Sequence, residues 1–156
     1  MRILFLTTNT KLVGGKERYD KDVIRALRER EKNVRTVRLT GKSFAKKAAF
    51  VFIACEKAVF FRPDVIFSSH VSFSPVIYAL YKFLKIPYVI FTAGLEVWDI
   101  KKKSLKKALR SARLIVYISN YTKERILNKM RELERKMFYL PPTVRENLFG
   151  IKEKPP

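Results

Sequence analysis

The sequence predicts an α/β protein, a Rossmann-like, doubly wound parallel sheet flanked by helices. Three observations carry the prediction. Short apolar, β-rich runs alternate with longer helical patterns along the chain. Several of those runs are apolar at consecutive positions, as strands covered on both faces are. No hairpin signal joins them, which leaves right-handed crossovers through helices.

The elements follow in order. "RILFLT" (Arg2–Thr7) is the first strand. Residues 16–31 place Tyr19, Val23, Ile24 and Leu27 at helical spacing, and "NVRTVRL" (Asn33–Leu39) is the second strand. "FAKKAAFVFIACEKAVFF" (Phe44–Phe61) reads as a helix with Ala48, Ala49, Phe52 and Val59 toward the core. That phase leaves Phe50 and Phe61 on the side of Lys46, Lys47 and Lys57. "DVIFSS" (Asp64–Ser69) is the third strand. "SPVIYALYKFL" follows, with Ser74 as N-cap, Pro75 at the first helical position and Pro87 beyond the end. "YVIFTA" (Tyr88–Ala93) is the fourth strand. In "KKKSLKKALRSAR", Leu105, Ala108, Leu109 and Ala112 form a stripe, and Lys102, Lys103, Lys106, Lys107, Arg110 and Arg113 fan over the rest. "LIVYIS" (Leu114–Ser119) is the fifth strand. "SNYTKERILNKMRELERKM" then reads as one helix, capped by Ser119 or Asn120, with Ile126, Leu127, Met130, Leu133 and Met137 along one side. "MFYL" (Met137–Leu140) is the sixth strand. The tail "YLPPTVRENLFGIKEKPP" loses periodicity and gathers prolines, as a linker does. The expected boundaries are a domain over 1–144 and an interdomain linker over 145–156.

At 156 residues and 47% apolar content, the chain suits one domain with a buried core. Cys55 is the only cysteine, so no internal disulfide forms, which fits a reducing cytoplasm. No signal peptide is read at the start. No stretch reaches the roughly 18 uninterrupted apolar residues of a membrane span. Lys and Arg number 34 against 14 Asp and Glu, a net charge of +20. Such an excess draws anions: nucleic acid, anionic lipid or phosphorylated small molecules. The absence of glutamine and the dominance of Lys, Arg and Glu also resemble a heat-adapted, thermophile composition.

The only Gly-Gly pair, Gly14 and Gly15, sits where the first strand gives way to a helical pattern. Glycines there allow φ > 0 and close backbone approach, and a helix start offers N–H groups to an anion. The motif is neither G-x-G-x-x-G nor G-x-x-x-x-G-K-[ST]. A plain turn and a phosphate loop therefore both stay open on the glycines alone.

The wider context resembles a family. "MRILFLTTNTKLVGGKERYDKDVIRALRERE" is similar to the opening of family 4 glycosyltransferases of the GT-B fold, with their strand, G-G-x-E-[RK] loop and helix. "PDVIFSS", "KIPYVIFTAGLEVW", "SARLIVYISNYTKERIL" and "MFYLPPTVRENLF" resemble later family motifs in the same order, so the resemblance covers nearly the whole chain. It implies one half of a two-domain architecture: an acceptor-binding domain that touches the phosphate and sugar of a nucleotide-sugar donor. A second, donor-binding domain would hold most of the nucleotide, and the chain stops where that domain would begin. The resemblance implies hexosyl transfer, with Gly14, Gly15, Glu17, Arg18 and Gly94 at the donor. The nucleotide sugar is a co-substrate, and no cofactor or metal is expected.

The sequence departs from the family at Ala93, where relatives carry a histidine facing the transferred sugar. Pro142, Thr143 and Arg145 replace the family's Asn, Gly and Asp in the linker. His70, the only histidine, and Glu96 lie at the expected ligand edge and are the catalytic candidates, Glu96 as a base or acceptor-orienting carboxylate. Each has a plainer reading, as a strand-end polar residue or as a partner of nearby lysines. No G-x-S-x-G supports a hydrolase triad.

Two basic surfaces read either as helices packed on the core or a neighbouring element, or as contacts with an anionic membrane on the inner face of the cell membrane. One is the Lys102, Lys103, Lys106, Lys107, Arg110 helix; the other is the Lys46, Lys47, Phe50, Lys57 face. Each such cation near a bilayer contributes about 1 kcal/mol. A lipid-linked acceptor is expected by analogy. The alternative is a noncatalytic, membrane-recruiting subunit of a split glycosyltransferase. Nucleic-acid binding would be purely electrostatic, because no recognition motif is visible.

Overall fold

The computed structural model describes residues 1–8, 14–94, 97, 100 and 102–142. Six strands form one sheet: β1 (Arg2–Thr8), β2 (Asn33–Leu39), β3 (Val65–Ser68), β4 (Tyr88–Thr92), β5 (Leu114–Tyr117) and β6 (Met137–Tyr139). Their order is β2-β1-β3-β4-β5-β6 and every pairing is parallel. The connecting helices are α1 (Gly15–Arg30), α2 (Phe44–Phe61), α3 (Ser74–Leu84), α4 (Lys103–Ser111) and α5 (Asn120–Leu127).

Alternation along each strand divides the core between two faces. Ile3 and Phe5 join Val65, Val89, Phe91 and Val116 on one face, which α1 covers with Tyr19 and Ile24. Phe5 lies 6.2 Å from Phe67 and 6.0 Å from Phe91, so aromatic rings fill the centre of this layer. Leu4, Leu6, Ile66, Ile90 and Ile115 point the other way, beneath side chains of α2, α3, α4 and α5. At the strand starts, Asp64 accepts from the Arg2 amide at 2.7 Å and from its guanidinium at 3.2 Å, fastening β3 to β1. That amide first, and then the guanidinium, holds the Asp64 carboxyl below its usual range.

Three local expectations are corrected. In α2, Phe50 is buried with Ala54 and Ala58, whereas Ala48, Ala49, Phe52 and Val59 are exposed. Phe50 packs against Phe73 with ring centroids 4.6 Å apart, and Phe61 is half-buried beneath the Arg35 guanidinium. The helix is apolar nearly all round, so periodicity left its phase undetermined.

The expected helix over 119–137 stops at Leu127 and resumes as a 3₁₀ helix, Arg131–Lys136. Met130, at φ −149° and ψ 66°, breaks the helix, yet Ile126, Met130 and Leu133 all remain buried. The apolar spacing survives the break, which is why the pattern hid it. Ser119 caps α5, accepting from the Thr122 amide at 3.3 Å. Ser74 is the first residue of α3 rather than its cap, and its hydroxyl donates to the Val71 carbonyl. The expected boundary at residue 144 and the linker 145–156 lie outside the described residues.

Candidate functional site at the switch point of the sheet

The chain passes from β1 to β2 on one side, then crosses back so that β3 lies on the other side of β1. The carboxyl ends of β1 and β3 are therefore the switch point, where open α/β sheets form a ligand crevice. The residues gathered there come from four elements.

From β1 comes Thr7, fully buried, whose hydroxyl donates to Asp20 Oδ2 at 2.6 Å. Thr8 follows; its Oγ1 is buried and has no hydrogen-bond partner among the described residues. From α1 comes Asp20, 2% exposed, a charge that burial would make costly without partners. Lys16, one turn earlier, supplies the second partner at 3.4 Å. The same ammonium lies 3.4 Å from Ser69 Oγ just beyond β3, so it bridges α1 and β3 across the switch point. An ammonium has three hydrogens, and Asp20 and Ser69 orient two of them.

Gly14 is the N-cap of α1 at φ −122°, an ordinary extended conformation. Among the described glycines only Gly94 has a positive φ, so the expected φ > 0 at the Gly-Gly corner is not what the pair provides. A Cβ at Gly14 would meet only the end of the flexible Glu17 side chain, whose carboxylate folds back over the cap. That carboxylate sits favourably at the positive end of the helix. Gly15 is exposed, and a Cβ there would meet nothing within 4 Å. Arg18 is also exposed, so the cation directed into the switch point is Lys16.

His70 follows β3 and caps a 3₁₀ helix, Val71–Phe73. Its Nδ1 accepts from the Ser72 amide at 3.0 Å and lies 2.7 Å from Ser72 Oγ. Acceptance at Nδ1 places the proton of the neutral ring on Nε2. Gly94, just past β4, holds φ +153°, and its carbonyl accepts from the Val97 amide at 3.1 Å. Ala93 precedes it. Glu96 lies outside the described residues.

Gly14, Gly15, Glu17, His70 and Gly94 thus follow the carboxyl ends of β1, β3 and β4, on one edge of the sheet. The residues that sequence reasoning missed are Lys16, Asp20, Thr7 and Ser69. One signal was available for them. Positions 16, 20, 24 and 27 share a helical face, and Ile24 and Leu27 put that face inward. A lysine and an aspartate on an inward stripe need buried polar partners. A groove of about 480 Å³ between Val59, Arg62, Leu84 and Lys85 is at the opposite edge.

No protein-family model matches the sequence, and a search of curated proteins finds no match. Solved structures do match. Anabaena HepE in complex with UDP and glucose is 15% identical, with a TM-score of 0.64 over 96% of this chain and 46% of that one. The lipopolysaccharide outer core galactosyltransferase WaaB, in apo form, is 18% identical, with a TM-score of 0.64 over 94% of this chain and 47% of that one. Arabidopsis thaliana UGT89C1 complexed with UDP is 14% identical, with a TM-score of 0.52 over 93% and 45%. The chain spans just under half the length of each. The shared fold is the Rossmann-like domain of GT-B glycosyltransferases, as the resemblance implied.

Proposed function

We propose that this chain is the N-terminal, acceptor-binding half of a two-domain family 4 glycosyltransferase. The reaction is hexosyl transfer from a nucleotide sugar to a lipid-linked acceptor at the cytoplasmic surface of the cell membrane. The observation that carries the reading is Lys16, held between Asp20 and Ser69 at the switch point. An ammonium fixed beside the start of α1 favours a diphosphate, whose negative charge grows as the glycosidic bond to the sugar breaks. Gly15 leaves its side of that approach open, as Gly94 does after β4, and the Glu17 carboxylate over the Gly14 cap would swing aside to admit the diphosphate.

His70 and Glu96 remain the candidates for contacting the acceptor hydroxyl. A second, donor-binding domain would hold the nucleotide base and close over the rim, which excludes water from transfer. UDP-glucose, held in the HepE complex, is the first donor to test, followed by other UDP-sugars.

A second reading has an observation of its own. Ala93 replaces the histidine that faces the sugar in relatives, which favours a noncatalytic subunit that brings a donor-binding partner to the membrane.

Calorimetric titration of the pure chain with UDP-sugars and with lipid-linked acceptors tests the proposal. Weak UDP-sugar binding, lowered further in Lys16→Met, and stronger acceptor binding are expected. No transfer is expected without a donor-binding domain. Substantial turnover by the 156-residue chain alone contradicts the division of labour. UDP-sugar binding that Lys16→Met leaves unchanged removes the anion site. Co-purification with a small donor-binding protein favours the subunit reading.

A further inference from the structure

The structure assigns a membrane-docking face to the outer side of α2 and the end of α3, turned about the helix from the Phe50 side that the sequence implied but sharing Lys46 and Lys47 with it. The assignment rests on the membrane part of the reading above but is independent of sugar transfer.

α2 buries one stripe, Phe50, Ala54 and Ala58. Much of the rest of its circumference is apolar and faces water, interrupted by Lys46, Lys47 and the Glu56–Lys57 ion pair, with Glu56 on the same stripe as Phe52 and Phe60. Phe44, Phe52 and Phe60 are 87%, 73% and 79% exposed, and Phe83 near the end of α3 is 85% exposed. Val51, Ile53 and Val59 add to the same outer surface. Single exposed apolar side chains are ordinary, but several large ones on one helix, joined to the end of α3 where Val59 and Leu84 line one groove, mark a surface that something covers.

The occupant argued here is an anionic bilayer. The three α2 phenylalanines span about 24 Å of helix axis, at 1.5 Å per residue. They spread around a convex surface instead of gathering in a pocket, so a flat, deformable partner fits them. Cations edge the patch. Lys46 and Lys47 stand beside Phe44, and Lys82 and Lys85 stand beside Phe83. Arg62 and Lys85 end α2 and α3 in left-handed conformations and line the same groove as Val59 and Leu84. Aromatic side chains among lysines suit the boundary between headgroups and acyl chains. Among the described residues no helix is long and apolar enough to cross a membrane. α2 carries Lys46, Lys47, Glu56 and Lys57, so it would lie in the plane of the surface.

That posture bears on the substrate. α2 begins beyond the carboxyl end of β2 and ends just before the start of β3, so it runs back along the sheet from the rim. With α2 flat on lipid, Phe44 marks the rim end and the switch point opens sideways along the bilayer. A lipid-anchored acceptor then reaches the rim without leaving the membrane.

The test is flotation of the full chain with phosphatidylcholine vesicles, with and without phosphatidylglycerol, at low and high salt. Capture by the anionic vesicles at low salt is expected, with loss at high salt. The double variant Phe52→Ser, Phe60→Ser should weaken capture by roughly tenfold or more, since both rings leave the bilayer. Lys46→Glu with Lys47→Glu should weaken it with a shallower salt dependence. All four positions are exposed, and circular dichroism checks that the variants fold.

Failure of anionic vesicles to capture the wild-type chain at low salt overturns the assignment, as does equal capture of the double serine variant. Retention on DNA without vesicle capture at matched salt would move the charge to nucleic acid. A wild-type dimer that the serine variant dissolves, without vesicle capture, would make the occupant a second copy. UDP-sugar binding is measured on the same variants. Vesicle capture with no nucleotide-sugar binding leaves this face standing and removes only the sugar-transfer reading.

Discussion

α1 and α2 are successive crossover helices on opposite faces of one sheet, and they solve the same packing problem with opposite surfaces. Each must bury a stripe against the strands: Tyr19 and Ile24 in α1, Phe50, Ala54 and Ala58 in α2. The outer face of α1 is charged, with Arg25 and Glu29 paired at 2.9 Å one turn apart. The outer face of α2 is dominated by phenylalanine, with the Glu56–Lys57 pair among the rings. The inner stripe is what the fold demands, and the outer face is open to other uses. A helix that stays apolar on both sides therefore carries information about something besides folding.

The comparison breaks most sharply at two phenylalanines two residues apart. Phe50→Ala removes a ring packed on Phe73, and large-to-small changes of this kind cost about 3–5 kcal/mol. Phe52→Ala touches a side chain 73% exposed and should change stability by no more than about 0.5 kcal/mol. Urea denaturation of both variants reads the difference. Equal costs would mean that α2 is not oriented as described, and the membrane face would fall with it.

The corresponding test in α1 concerns its buried charge. Asp20→Ala leaves the Thr7 hydroxyl and the Lys16 ammonium without the acceptor they share. A cost of about 1–3 kcal/mol is expected, because a buried polar partner is lost. UDP-sugar affinity should fall as well, since Lys16 is no longer held toward Ser69. Loss of stability with unchanged affinity would make the cluster purely structural.

Tyr19, on the inner stripe of α1, gives a pH test. Its hydroxyl donates to the Leu140 carbonyl at 2.9 Å. Burial, and then the neighbouring Asp20 charge, pushes its pKa up to about 12. The folded value lies above the unfolded value near 10. The stabilisation is therefore fully present below pH 10 and is lost as pH rises toward 12. Tyr19→Phe should shallow that alkaline loss, followed by thermal melting across the range.

These contrasts explain what the sequence could disclose. The parallel sheet was legible because strands covered on both faces must be apolar at consecutive positions, as Ile3–Leu6 and Val89–Phe91 are. The stripe of α1 was legible because Lys21, Arg25 and Arg28 mark its outside. The charges of α2, Lys46, Lys47, Glu56 and Lys57, do not gather on one side of the helix, so its phase had to come from three dimensions. At the site, the glycine corner was visible as a pattern. Lys16 and Asp20 were readable only through the inward stripe they share with Ile24 and Leu27, and a lysine and an acid four residues apart more often form a solvent-exposed pair. Thr7 and Ser69 supply the polar partners that the inward-facing pair needs.

The smallest expected effect addresses what the Gly-Gly corner is for. Gly15 occupies the first position of α1, is exposed and has open space where a Cβ would stand. Gly94 differs, since its φ of +153° strains any side chain. Gly15→Ala therefore meets no steric objection, and it reduces the freedom of the unfolded chain. Stability should rise by about 0.4–1 kcal/mol. If the corner only turns the chain, nothing else changes and the substitution is pure gain. If a diphosphate approaches the start of α1, the added methyl stands in its path, and UDP-sugar affinity drops while the melting temperature climbs. Opposite signs in those two measurements would mean that Gly15 is kept for a ligand at the expense of the fold.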